Sequence, residues 1–245
     1  MAETLQAQPA KESSSRSWVR KYGLPRLAQG LAFMAFWIAL LFVSAGTIHW
    51  IRGWICAITY GVTMLAMGFI VSRINPALMP ARAKWRRRDG KLFDKIILAI
   101  YLPLSILQPA IAALDAVRFR WSSMPFWTLY PGLAIFLFCV VLIGWAMAVN
   151  PWAEASVRIQ SDRGHQVVHS GPYRFVRHPM YVGMILMYPS VALILGSVWA
   201  LALAGIMAVI LIVRTALEDR TLQRELPRYR EFTAVTRWRL LPGIW

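Results

Sequence analysis

Five stretches of this chain contain no Asp, Glu, Lys or Arg: Leu27–Ile48 (22 residues), Gly53–Ser72 (20), Ile96–Leu114 (19), Trp121–Ala153 (33) and Pro179–Val213 (35). A helix rises about 1.5 Å per residue, so about 20 residues cross a hydrocarbon core of about 30 Å. Soluble domains carry roughly a quarter of their residues as charges; here 16% of 245 residues are charged and 58% are hydrophobic. A soluble globule and a disordered chain are both excluded. The pattern predicts an all-α integral membrane protein.

The formal charge of +16 would fit a nucleic-acid binder by sign alone. Its placement argues otherwise. Let the amino terminus be cytoplasmic, let each long stretch cross, and let the last fold back. Inside segments then hold five basic residues before Leu27, eight from Arg73 to Lys95, four from Arg158 to Arg177 and seven from Arg214 onward. Only Arg52, Arg118 and Arg120 fall outside. That asymmetry follows the positive-inside rule, so the charge reports topology, with both termini cytoplasmic, and no nucleic-acid partner is expected. A bacterial inner membrane and an endoplasmic reticulum fit equally well. The run Arg82, Lys84, Arg86, Arg87, Arg88 suits anionic membrane lipids. Cys56 and Cys139 lie inside apolar stretches with no metal-ligand spacing, so no metal site is expected.

Residues 1–26, the first 17 of them polar, read as a disordered cytoplasmic tail; they lack the apolar run of a signal peptide. Residues 27–149 form a four-span region, its first two spans separated only by His49–Arg52. The third span carries Pro103 and Pro109, which predict a kink. The fourth runs from near Pro125 to Val149. The fifth stretch is too long for one span, since 35 residues extend about 52 Å, and too short for two full spans with a turn. Gly196-Ser197 is its best break. We read a helical hairpin over 181–213, with short arms Tyr181–Leu195 and Val198–Val213, giving about six membrane segments. A hairpin returns its ends to one side, so Asn150–His178 and Arg214–Trp245 meet at the cytoplasmic face. Three of the four histidines lie in these segments. The region 150–245 is where chemistry belongs.

Within it, His165-Gln166-Val167-Val168 precedes Ser170-Gly171-Pro172-Tyr173, then Arg177-His178-Pro179-Met180-Tyr181-Val182-Gly183. After the hairpin come Arg214, Glu218-Asp219, Leu222, Tyr229 and Phe232. This pattern resembles the isoprenylcysteine carboxyl methyltransferase family and its relatives, which include phospholipid methyltransferases. The resemblance covers about Gln160–Phe232. It implies S-adenosylmethionine held in a cytoplasmic pocket by Gln160, His165, Gln166, Val167, Val168, Tyr173, His178, Pro179, Tyr181 and Glu218. It also implies Arg214 at the substrate, as the catalytic and substrate-binding residue, with a lipophilic or prenylated acceptor arriving from the membrane. Glu218-Asp219 replaces the usual Glu-Glu, Leu226-Pro227 stands where Phe-Gly is common, and Phe232 where a second Tyr is common. These departures bear on the acceptor more than on the cofactor.

The residue chemistry agrees with that reading and leaves alternatives open. A ribose diol needs a fixed carboxylate, which suits Glu218. The His165–Val168 segment and His178 offer groups for the amino-acid end, and the rings of Tyr173 and Tyr181 suit adenine or a sulfonium. No G-x-G-x-x-G follows a strand signal, so a soluble Rossmann core is not expected. A carboxylate acceptor needs no base but does need a cation such as Arg214. An amine or thiol acceptor would need His178 or Glu218 to take a proton. The bland readings are an i,i+4 ion pair between Arg214 and Glu218, a helix start at His178-Pro179 and interfacial belt tyrosines. A phospholipid amine, a small thiol and a non-enzymatic membrane scaffold remain the alternatives to a carboxylate acceptor.

Overall fold

The structure is a computed structural model that describes residues 24–83 and 89–245. The expected tail at 1–26 and the basic run at 84–88 lie largely outside these residues. The chain divides into Met1–Ala39 and Leu40–Trp245; helix α1 (Leu24–Ala45) crosses that division. The second unit contains the candidate site.

Its helices are α2 (Ile51–Ile74), α3 (Leu78–Ala83), α4 (Leu92–Ala113), α5 (Leu129–Val149), α6 (Pro179–Leu195), α7 (Val198–Glu225) and α8 (Tyr229–Val235). α4 runs on as a π-helical segment, Leu114–Phe119. No strand occurs among the described residues. α1, α2, α4, α5 and α7 are long and apolar enough to cross a membrane, and α6 is a shorter apolar helix. Many large apolar side chains along them, Ile58, Val62, Phe138, Val141 and Val209 among others, face outward. A hydrocarbon surround makes that arrangement favourable, because every backbone polar group inside it is satisfied within a helix.

The helical hairpin turns at Gly196, which has φ +80° and caps α6, while Ser197 caps α7 by accepting from the Ala200 amide at 3.0 Å. A left-handed residue at this point is inexpensive only for glycine. The arms are unequal. The second was expected to stop at Val213 but continues to Glu225, because the chain beyond the last apolar residue (Ala216, Leu217, Glu218, Leu222, Gln223) is rich in good helix formers. Apolar length and helix length are set by different forces.

One end of the bundle is tied by polar residues that are buried. Arg52 is buried there and donates to Thr128 Oγ1 (3.2 Å) and to the carbonyls of Leu193, Met124 and Pro125. Asp115 accepts from Ser122 and Ser197 hydroxyls, each at 2.6 Å. At the other end Asn75 Nδ2 donates to the Met147 carbonyl at 2.9 Å and the Asn150 carbonyl at 3.2 Å. This second end gathers the C-termini of α2, α5 and α7 with the N-termini of α4 and α6, and it carries the candidate site.

Candidate functional site

A cavity of about 280 Å³ opens at that end, just under the roughly 300–1,000 Å³ of ordinary ligand clefts. The loop between α5 and α6 supplies its polar wall, stiffened from within. Gln160 Nε2 donates to the Trp152 carbonyl at 2.7 Å and Gln160 Oε1 accepts from Arg163 at 2.7 Å. Arg158 is clamped by Glu154 (2.9 and 3.0 Å), Asp162 (2.7 Å) and Asp89 (3.1 Å). His165 stacks on Trp152 with centroids 5.6 Å apart, and its Nδ1 accepts from the Gln160 amide at 3.4 Å. Burial, then the charge of Arg158, pushes His165 down to about 4. It is a neutral imidazole near pH 7. Asn150 Nδ2 donates to the Tyr173 hydroxyl at 2.8 Å, and burial holds that phenol above its ordinary range.

The other wall comes from helix ends. Glu218 Oε2 accepts from the Tyr181 hydroxyl at 2.5 Å; among the described residues Glu218 has no ion-pair partner. Arg214, four residues earlier, turns elsewhere. Its Nε donates to Asp94 Oδ1 and its Nη2 to the Ala155 carbonyl, both at 2.8 Å, and it lies over the Tyr181 ring at 5.5 Å. The i,i+4 pair that the spacing allows is therefore not formed. Asp94 Oδ2 accepts in turn from the Val157 amide at 2.8 Å, so one fully buried carboxylate pins the loop to α7.

Asp219 is a hub. It accepts from Arg177 Nε and Nη2 (2.8 and 3.1 Å), Arg239 Nε (2.8 Å), Gln223 (2.7 Å), Tyr229 (3.1 Å) and His178 Nε2 (3.2 Å). Since a carboxylate only accepts, His178 carries its proton on Nε2. The backbone supports this hub: Arg177 N–H donates to the Trp238 carbonyl at 2.9 Å and His178 N–H to the Arg239 carbonyl at 3.0 Å.

Gln160, His165, Gln166, Val167, Val168, Tyr173, His178, Tyr181, Arg214 and Glu218 all line this one cavity. Pro179 does not: it is buried at the first turn of α6, where its fixed φ and missing N–H suit the helix start. Sequence reasoning missed Asp94, which stands two residues before an uncharged stretch and reads there as a boundary charge. It also read Arg82 as a headgroup contact, whereas Arg82 lines the cavity and donates to the Ala153 carbonyl at 2.6 Å. Leu98, Leu102 and Met184 add an apolar side, and the Ser156 hydroxyl is buried with no partner among the described residues.

This cavity is built mostly from a region whose kinship is recognisable. Residues 127–228 match the phospholipid methyltransferase family. The protein is a multi-pass membrane methyltransferase: five helices have spanning character, and two of them, α5 and α7, fall in the matched region. Among curated proteins none matches the chain. The family match ends just before Tyr229 and begins after α4, so this methyltransferase draws cavity walls from both sides of it.

Proposed function

We propose that the protein is an S-adenosylmethionine-dependent methyltransferase acting on a lipophilic acceptor, with a carboxylate as in isoprenylcysteine carboxyl O-methylation the favoured nucleophile. The observation that carries this is a single cavity with two kinds of lining: hydrogen-bonding groups of the loop before α6 with Glu218, and the apolar side chains of Leu98, Leu102 and Met184. A polar cofactor and an apolar acceptor can share such a space.

The residues fit the cofactor. Glu218 is a carboxylate with no ion pair among the described residues, which leaves it available to a ribose diol, and the orphaned Ser156 hydroxyl needs a ligand or water to satisfy it. Tyr173, Tyr181 and the neutral His165 ring offer faces to an adenine or a sulfonium. Bound there, S-adenosylmethionine would supply its sulfonium methyl to a carboxylate oxygen and would leave as the neutral thioether, so that a cation and an anion are lost together. Arg214 holds the incoming carboxylate through the Nη1 that Asp94 and Ala155 leave unused. The apolar side excludes water, which lowers the local dielectric and favours loss of charge. No residue need remove a proton.

A second reading, methylation of a phospholipid amine, is favoured by the family's own description. An amine must lose a proton, and the cavity offers two groups to take it: Glu218, and His178 through the Nδ1 left unprotonated when Nε2–H donates to Asp219.

The test is equilibrium binding of S-adenosylmethionine to the purified protein in detergent. Binding that weakens about tenfold or more in Glu218→Ala supports the reading. No detectable binding by the unmutated protein at millimolar cofactor sinks it and favours a scaffold. Mass spectrometry of lipophilic extracts incubated with methyl-labelled cofactor then separates an ester product from a methylated amine.

A further inference from the structure

Four arginines line the cavity: Arg82, Arg158, Arg177 and Arg214. Arg158 is neutralised by Glu154 and Asp162, Arg177 by Asp219, and Arg214 by Asp94. Arg82 differs. Among the described residues its hydrogen-bond partner is the Ala153 carbonyl, and none of their carboxylates lies within ion-pair range of it. Burial, and then the charge of nearby Arg214, pushes the Arg82 guanidinium down from its ordinary value. Two like charges sharing a poorly hydrated wall repel, and an anion set between them relieves the cost.

Which ligand brings that anion follows from where Arg82 stands. It belongs to α3, outside the region 127–228 that matches the family. A cofactor is what members of a methyltransferase family share, and the acceptor is what varies among them. Stretches outside the matched region are free to suit the variable ligand. The next helix in the chain, α4, gives the cavity its apolar Leu98 and Leu102, so the same stretch of chain offers both a cation and a surface for a lipid tail.

We propose that Arg82 is a specificity-determining residue that grips the anionic head of the acceptor together with Arg214, selecting lipophilic carboxylic acids over neutral lipids of the same shape. This rests on the methyltransferase reading above and deepens it. A carboxylate is also present on the cofactor's methionine end, so the experiment must tell the two sources apart.

The test measures binding, without turnover, on the full-length protein in detergent micelles. The probes are N-acetyl-S-farnesylcysteine as the free acid and as its primary amide, with S-adenosylmethionine affinity measured separately. The wild type is expected to bind the acid about tenfold tighter than the amide. Arg82→Gln removes that preference and leaves the amide and S-adenosylmethionine affinities unchanged. Arg82→Lys keeps part of the preference, since the charge remains while the fork is lost. A wild type with no acid preference overturns the proposal, as does an undiminished preference in Arg82→Gln. Equal loss of acid and amide affinity overturns it too, making Arg82 a wall support. Loss of S-adenosylmethionine affinity in Arg82→Gln reassigns the residue to the cofactor's carboxylate. Failure of the wild type to bind S-adenosylmethionine refutes the methyltransferase reading instead, while the acid-to-amide ratio still reports on Arg82.

Discussion

Adjacent acids in α7 do opposite work. Glu218 is half-buried, accepts one hydroxyl and faces the cavity; Asp219 is fully buried and receives two arginines, a histidine, a tyrosine and a glutamine. Removing the Asp219 charge would leave Arg177 and Arg239 without their carboxylate, and breaking a buried pair costs about 3–5 kcal/mol. Asp219→Asn is therefore expected to lower the unfolding temperature in detergent markedly, while Glu218→Gln stays close to wild type and loses cofactor binding. Equal thermal stability of the two variants would contradict this division. His165 gives a pH prediction. Its folded value, about 4, lies below the roughly 6.5 of an unfolded histidine. Between those values the unfolded chain binds more protons, so stability rises with pH. The contribution is complete above about pH 6.5 and is lost as the pH falls toward 4. His165→Gln should flatten this part of the unfolding-temperature profile; an unchanged acid limb would show that other groups produce it.

Helix contacts show where apolar patterning stops being informative. α5 and α6 make the most extensive contact in the bundle, and Gly132 permits it: a Cβ there would lie 2.9 Å from the Ile194 amide nitrogen and 3.0 Å from the Ser190 carbonyl oxygen. Backbone atoms of a packed helix cannot yield as a side-chain tip can, so Gly132→Ala should cost about 1–3 kcal/mol, read as a lower unfolding temperature. An undiminished temperature would mean that the two helices separate easily. The spans themselves are legible, because length without charge is a requirement of the bilayer. So is the turn at Gly196, where a glycine and a capping serine interrupt a stretch too long for one crossing. The extent of α7 is not, since the hydropathy that marks its start says nothing about propensity past Val213. Nor is the role of Arg52, which serves three carbonyls and the Thr128 hydroxyl that only the fold brings together.

At the scale of the whole molecule the cavity is a joint between regions that the sequence keeps apart. The block from His165 to Tyr181 and the Arg214–Glu218 pair are legible as one site because a hairpin must return its ends to the same side. Asp94, Arg82 and the C-terminal segment are not, because their contribution depends on which helix lies beside which. The C-terminal segment is the sharper case. Thr236 and Arg237 carbonyls accept from Arg177 Nη1 at 3.0 and 2.7 Å, and Trp238 and Arg239 carbonyls accept from the Arg177 and His178 amides. Tyr229 and Phe232 complete the cavity wall. Ending the chain at residue 228 keeps every residue that matches the family, yet it strips Asp219 of Tyr229 and Arg239 and leaves Arg177 with unmet donors. Each buried group so exposed costs about 1–3 kcal/mol. The truncated protein is expected to remain in the membrane fraction with its spans intact, to bind S-adenosylmethionine at least tenfold more weakly, and to be cut by protease between residues 150 and 178 where the full chain resists. Full cofactor affinity in that truncation would mean that 127–228 builds the site with α3 and α4 alone, and that the Asp219 hub serves stability only.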